Sequence, residues 1–380
     1  MEKSDTEVAT SCYVFFICYG FRRPNGNILI ANIRSMDGCV VVGSGPAGLS
    51  AALYLIINGI PVTVIERLSD SGFGRYHSVC GAGISDAAFR ELELIDPTDI
   101  RNRIDRTKLK FPGGVTITMK TKGYVLDRVA FLRRLRERCE SAGCAFVDSE
   151  VIGAERIDGG FRIRTRSGDF ESRYVIGCDG AHSVIRRDLF GSRPLMMSAE
   201  EFIVDEPTDD VFRIFVGERY HGLYEWRFPS GTMSNVGSGK GMIHPDDCIS
   251  KGGRNIPYGG VPKISDGDAY ICGDAAGMAN PVSGGGLRAA MVAGQNAARE
   301  IVTGKDGYYQ RWWDGCIMSS RRFLRFRRIL ETWGDSEFMK ASRPFRNGRD
   351  PRIWGPIAGI LHPKYIPMYI GALKTFGHTW

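Results

Sequence analysis

The chain alternates short, wholly apolar runs with segments of helical period. Val40, Val41 and Val42 form an unbroken β-branched run and predict a buried strand. Glycine-rich spacing follows, then an apolar helix and a second strand, Val62 to Ile65, ending on Glu66. Two later segments repeat the form. Residues 174–187 (YVIGCDGAHSVIRR) and 269–288 (AYICGDAAGMANPVSGGGLR) each begin as a buried strand and break at an Asp beside Gly. Residues 127–143 have helical periodicity, with Phe131, Leu132 and Leu135 inward and arginines outward. The alternation over 161–177 predicts a β-hairpin running into the strand at 174. Further strands are predicted in DVFRIFVG (210–217) and LYEWRFP (223–229). In the second, Tyr224, Trp226 and Phe228 alternate and share one face, and Pro229 is expected to end the strand.

The first glycine group carries specific chemistry. Gly43 permits a tight turn, Gly45 lets a pyrophosphate approach the backbone, and Gly48 lets the helix pack close to the strand. The helix N-terminus then offers free N–H groups to phosphate. Glu66, at the end of the second strand, is placed to accept hydrogen bonds from a ribose. The alternative is a glycine-rich turn in an ordinary βαβ unit. Asp274 is placed to hold a polyol such as ribityl. The helix after Gly286 aims its positive end at whatever lies above it, which suits the N1–C2=O edge of a flavin as it gains charge on reduction.

Together, GxGxxG, CDG (178–180) and GDAA (273–276) resemble the flavoprotein superfamily of para-hydroxybenzoate hydroxylase. Within it the chain resembles the geranylgeranyl reductase family, through VCGAGIS (79–85), GYVLDRVAF (123–131), GLYEWRFPSG (222–231), NVGSG (235–239) and NPVSGGGL (280–287). Hydroxylases of the superfamily carry a His after GDAA and a GQG-type loop; this chain has Gly277 and a triple glycine. The segment between Gly241 and Pro257 is shorter than the helical one in related reductases, which bears on cavity size.

The resemblance implies an α/β (α+β) fold. A Rossmann-like FAD-binding domain of the glutathione reductase type would span 36–98, 123–190 and 260–305. A mixed-sheet substrate domain would occupy 99–122 and 191–259, and a helical region 306–380. Met36 directly precedes the first strand, so residues 1–35 are expected to be a dispensable extension. The resemblance further implies non-covalent FAD held by Gly43, Gly45, Ala47, Gly48, Glu66, Arg67, Cys80, Gly81, Gly83, Arg128, Val151, Asp179, Gly180, Asp274, Gly285, Gly286 and Leu287. Tyr224, Trp226 and Phe228 would line an isoprenoid cavity, the alternative being a core aromatic stripe. Cys80 would sit by the flavin as a proton donor or as a small space-filling hydrophobe. His77 is expected to be a solvent-exposed loop residue.

The activity implied is FAD-dependent saturation of C=C bonds in geranylgeranyl chains of archaeal-type membrane lipid precursors. The external reductant would be NAD(P)H or reduced ferredoxin. Alternatives are a chlorophyll or quinone side-chain reductase, an aromatic hydroxylase, a halogenase, and a flavin-binding partner subunit without turnover. No counterpart of the halogenase lysine is evident.

Composition narrows the field. Fifty Lys and Arg against 43 Asp and Glu give a net charge of +7, without a nucleic-acid-binding motif. That charge suits anionic lipid surfaces, and the cluster Arg321, Arg322, Arg325, Arg327 and Arg328 is either a phosphate-facing patch or a solvated helix face. Ten cysteines show no CxxC pair and no zinc spacing, as in a reducing compartment. No run reaches the roughly 18 apolar residues of a spanning helix. The expected setting is cytoplasmic, with peripheral membrane contact.

Overall fold

The computed structural model describes residues 37–370, apart from 207, 317, 318, 320, 350, 367 and 368. The expectation for residues 1–35 lies outside the described residues. β1 (Cys39–Val42) leads into α1 (Pro46–Ile57) and back to β2 (Val62–Glu66). Pro46 suits the first helical position, where an N–H would have no intrahelical partner. α2 (Asp70–Ser78) is capped by the Ser69 hydroxyl, which accepts from Gly72 N. β3 (Gly83–Ser85), α3 (Asp86–Arg90), β4 (Ile100–Lys110) and β5 (Thr116–Leu126) follow. α4 (Arg128–Ser141) starts where Asp127 accepts from Ala130 N at 3.0 Å, and it buries Phe131, Leu132 and Leu135 as the periodicity predicts. β6 (Ala145–Asp148), β7 (Val151–Ile157), β8 (Gly160–Thr165), β9 (Gly168–Ser172) and β10 (Tyr174–Gly177) come next, with β8 and β9 forming the predicted hairpin.

The chain then builds β11 (Leu195–Val204), β12 (Val211–Phe215), β13 (Glu225–Ser230), β14 (Met233–Gly239) and β15 (Cys248–Tyr258). β16 (Ser265–Asp266) and β17 (Ala269–Ile271) return it to the first sheet. The described helices after that are α5 (Leu287–Thr303), α6 (Tyr308–Gly315), α7 (Arg321–Glu331), α8 (Asp335–Ser342) and α9 (Pro351–Leu361).

The first sheet runs β16-β17-β10-β1-β2-β6, parallel from β17 to β6. α1 and α5 pack beside it. Their approach is close because Gly294 has no side chain; a Cβ there would stand 2.1 Å from Ala47 O. Leu49, Leu53 and Leu55 of α1 are buried, each contributing roughly 1.5–3 kcal/mol of apolar burial.

The second sheet runs β15-β11-β14-β13-β12-β4-β5-β3 and is mixed, with β12 parallel to β4. The expected domain divisions at residues 98 and 123 fall inside it: Gly83–Ser85 pairs with Gly123–Val125. A stretch flanked by the glycine-turn and GYVLDRVAF motifs therefore belongs to the second sheet. Pro229 does not end β13, which continues to Ser230. The β12 ladder stops at Arg227, so the missing N–H of Pro229 breaks no bond on that edge. The short segment before Pro257 forms β15, an edge strand paired with β11, in place of a helical insertion.

Candidate active site

The two sheets meet around one cavity. Its first wall is the turn between β1 and α1. Gly43 has φ +96° and a Cβ there would meet Cys178 O at 2.5 Å; a Cβ at Gly48 would meet Gly43 O at 1.9 Å. Both glycines are thus needed by the fold itself. Gly45 differs: a Cβ would find only His77 Cε1, at 3.6 Å, and the residue lines the cavity. Space above Gly45 is left open by the protein. No side chain caps α1, whose first residues Pro46 and Ala47 also line the cavity. The same holds for α5, where the N-cap Gly286, with Gly284, Gly285 and Leu287, forms the adjoining wall. Two uncapped helix N-termini therefore face one space, an arrangement that favours anionic and electron-rich groups.

Polar side chains converge there. Arg128, at the start of α4, lines the cavity, and its buried Nε has no partner among the described residues. His77 is buried in α2, which corrects the expectation of an exposed loop residue: Phe73 and Tyr76 pack against its ring. Burial first, then Arg128 and Arg254, hold its imidazole well below the usual range, at about 2. Its Nδ1 is likewise without a partner among the described residues. Asp274 lines the cavity, with Arg254 Nη2 at 4.0 Å from its carboxylate. Arg254 also lies over the Tyr76 ring, 4.2 Å from its centroid.

Other predicted residues act differently. Glu66 accepts from Ser44 N at 2.8 Å, Ser44 Oγ at 2.7 Å and Leu68 N at 2.9 Å, so its carboxylate braces the glycine turn. Asp179 is not among the lining residues; it accepts from Val184 N and Ile185 N, while its neighbour Gly180 lines the cavity. Arg67 is exposed and Val151 is buried in β7, both outside the lining.

The floor comes from the second sheet. Register aligns Ala199 with Gly239 and Arg254, and Glu201 with Gly237 and Gly252. Alternation turns Met197, Ala199 and Glu201 to the same face. Trp226 lies across Gly237, where a Cβ would stand 2.0 Å from its ring. Phe228 packs on Phe212, with centroids 4.2 Å apart, and reaches Gly81. Tyr224 donates to Ser283 O, tying the aromatic strand to the loop before α5. Tyr224, Trp226 and Phe228 all line the cavity, beside Cys80, Gly81 and Gly83. Cys80 Sγ accepts from Ala82 N at 3.3 Å.

Glu201, Arg254 and Asn235 were not foreseen from sequence. Asn235 stands within the NVGSG run, the one local signal available. Arg327, taken with its neighbours as a surface cluster, is buried instead; it donates to Pro281 O at 2.9 Å and supports the loop before α5.

The open cradle over Gly45, the two uncapped helices and the partnerless His77 and Arg128 nitrogens fit a flavin dinucleotide. The fold is that of the FAD-binding flavin oxidoreductases: residues 36–204 match the FAD binding domain family. The chain is 31% identical over 358 residues to digeranylgeranylglycerophospholipid reductase 2 of Methanopyrus kandleri, covering 78% of this chain and 87% of that protein. It is 26% identical over 371 residues to reductase 1 of Methanothermobacter thermautotrophicus, covering 84% and 92%. Among solved structures, a geranylgeranyl bacteriochlorophyll reductase-like protein of Thermoplasma acidophilum superposes with a TM-score of 0.71 at 21% identity, over 89% of this chain and 98% of that one. The chain belongs to the flavoprotein family of the digeranylgeranylglycerophospholipid reductases.

Proposed function

We propose that this protein uses FAD to saturate C=C bonds in the geranylgeranyl chains of a membrane lipid precursor. One observation carries the reading. The apolar, aromatic-walled floor of Leu223, Tyr224, Trp226, Phe228, Met197 and Ile256 opens onto the same cavity as the open glycine cradle. An unactivated double bond needs an apolar channel that excludes water, and a redox cofactor beside it. When bound, FAD supplies the hydride. The protein holds the cofactor through Gly45, Ala47 and the α5 N-terminus, with Arg128 and Asp274 on its polar edge. Trp226 and Phe228 fix the chain against Gly81, and Cys80 fills the turn between chain and cofactor. NAD(P)H or reduced ferredoxin is the proposed electron donor.

The lipid substrate places the protein at a membrane surface. α9 supports this reading, with Ile353, Ile357, Ile360 and Leu361 exposed and Arg349 and Lys364 nearby in sequence. The test of function is anaerobic incubation of dithionite-reduced protein with prenyl lipids, followed by mass spectrometry. Added pairs of hydrogens are expected. Reduced flavin that survives every prenyl lipid, yet forms an oxygen adduct in air with an aromatic substrate, would transfer the protein to the hydroxylases.

A further inference from the structure

Two adjacent carboxyls that no motif announces line the cavity, Glu200 and Glu201. Glu201 stands between glycines on both neighbouring strands, Gly252 of β15 and Gly237 of β14. A Cβ at Gly237 would collide with the Trp226 ring at 2.0 Å, and one at Gly252 with Val79 Cγ2 at 2.6 Å. The two bare positions admit Trp226 and Val79, and Glu201 shares this floor beside the Val79–Gly81 turn. Asn235 Nδ2 donates to its carboxyl at 3.1 Å, and the Cys80 backbone N–H faces it. The same Asn235 accepts from Trp226 Nε1 at 2.8 Å and reaches Cys80 O at 3.4 Å. A single amide thus sets the acid, the aromatic wall and the cysteine turn relative to one another.

The charged groups around Glu201 do not neutralise it by contact. Arg128 and Arg254 face it, and no ion pair within 4.0 Å forms among the described residues. His77, whose protonation burial and both arginines oppose, stays neutral. Glu200, next in sequence, is engaged elsewhere, by Lys251 at 3.2 Å and Gly241 N at 2.9 Å. Glu201 is 6% exposed and lines the cavity. Burial without a contacting cation favours the neutral acid, while the hydrogen bonds from Asn235 and the Cys80 N–H pull toward the carboxylate.

We propose that Glu201 is the catalytic acid of this cavity, supplying the proton that a neutral carbon–carbon double bond gains on reduction. The inference rests on the prenyl-reductase reading. The alkene π pair takes the Glu201 proton, one C–H bond forms, and the carboxylate remains. The adjacent carbon, now electron-poor, takes the hydride supplied by bound reduced flavin, and solvent later reprotonates Glu201. Burial, only partly offset by Asn235 and the Cys80 N–H, pushes this carboxyl up to about 7. That is where a general acid working near neutrality is most useful. Cys80, the residue that the family resemblance points to, becomes a neighbour that shapes the turn.

The test uses the FAD-loaded protein and two readouts. Infrared difference spectra across pH 5–9, parent minus Glu201→Gln, should show one carboxylic acid ionising near neutrality that the variant lacks. Reoxidation of dithionite-reduced protein by a prenyl lipid should fall at least about tenfold in Glu201→Gln and lose its decline with rising pH, while FAD content and dithionite reduction stay at parent level. Glu201→Asp, which keeps the acid one methylene further back, should retain the pH dependence at a reduced rate. Cys80→Ser should keep it too. A Glu201 ionised throughout pH 5–9, or parent-like reoxidation with the parent pH profile in Glu201→Gln, would overturn the proposal. If no prenyl lipid reoxidises the parent, the function falls with the proton-transfer step, and the infrared titration alone decides whether Glu201 is the resident acid.

Discussion

At the scale of single residues, the glycine turn separates fold from function. Gly48 has no room for a side chain, whereas Gly45 has room on the protein side and φ −74°, open to any L-residue. Gly45→Val should therefore fold and melt near the parent while failing to retain FAD. Gly48→Val should lower the melting temperature whether or not flavin is present. A yellow, stoichiometrically loaded Gly45→Val would remove the cradle from the cofactor account. His77 gives the second residue-scale prediction. The unfolded chain binds a proton at the ordinary histidine pKa of about 6.5, but the folded imidazole resists protonation until about 2. The His77 contribution to stability therefore falls as pH drops below 6.5, by up to about 2 kcal/mol at pH 5. Glu201 works in the opposite sense: its folded pKa is raised to about 7, so its contribution is full below the ordinary carboxylate pKa and is lost as pH rises to about 7. Urea unfolding should show His77→Gln gaining stability relative to the parent on going from pH 7 to pH 5, since Glu201 titrates alike in both and cancels in the difference. A difference that stays constant with pH would mean that His77 takes a proton without opening the fold. The turn glycines were legible in sequence because a tight turn and a close backbone approach are set by neighbouring residues. The burial of His77 was not, since it depends on α2 lying under Gly45.

Elements carry the contrast between what a chain reveals locally and what only pairing creates. The strands read at 40–42 and 62–65 and the helix starting near Arg128 follow from local periodicity, and all three form, the strands one residue longer each. Trp226 and Phe228 share a face of β13 because a strand alternates with period two, and Tyr224, just before β13, lines the same cavity. Glu201 was invisible by the same logic. Its floor partner Asn235 lies 34 residues away, and nothing in either strand alone states the register that joins them. The aromatic strand yields a direct prediction. Trp226 fills the space over Gly237 and anchors Asn235, so Trp226→Ala should widen the cavity and release the amide from the indole. Lipid-dependent reoxidation should fall by about tenfold or more, while FAD stays bound, because the glycine cradle belongs to the other sheet. Trp226→Phe should recover part of the rate by refilling the space without the indole N–H. Loss of flavin in Trp226→Ala, measured by absorbance after gel filtration, would show that the two sheets do not divide the work in this way.

For the whole molecule, the cavity lies between sheets while the C-terminal helices supply a separate outer surface. No helix among the described residues is long and apolar enough to cross a membrane. Yet α9 leaves Ile353 66%, Ile360 81% and Leu361 65% exposed, while Ala358 on its other side is buried. Arg343, Arg346 and Arg349 before it and Lys364 after it are exposed as well. An apolar stripe with basic flanks is the pattern of a helix lying in a headgroup layer. Each isoleucine moved from water into acyl chains contributes roughly 1.5–3 kcal/mol, and each basic residue near an anionic surface about 1 kcal/mol. Several weak terms of this size would sum to reversible attachment. The protein should sediment with anionic vesicles at low salt, and binding should weaken as salt screens the arginines. Ile353→Asp combined with Ile360→Asp should abolish sedimentation and leave turnover of detergent-dispersed lipid near the parent value, because neither residue lines the cavity. Binding that persists in the double variant would move the contact surface elsewhere. Binding that survives both high salt and carbonate would instead require an integral attachment, outside the described helices.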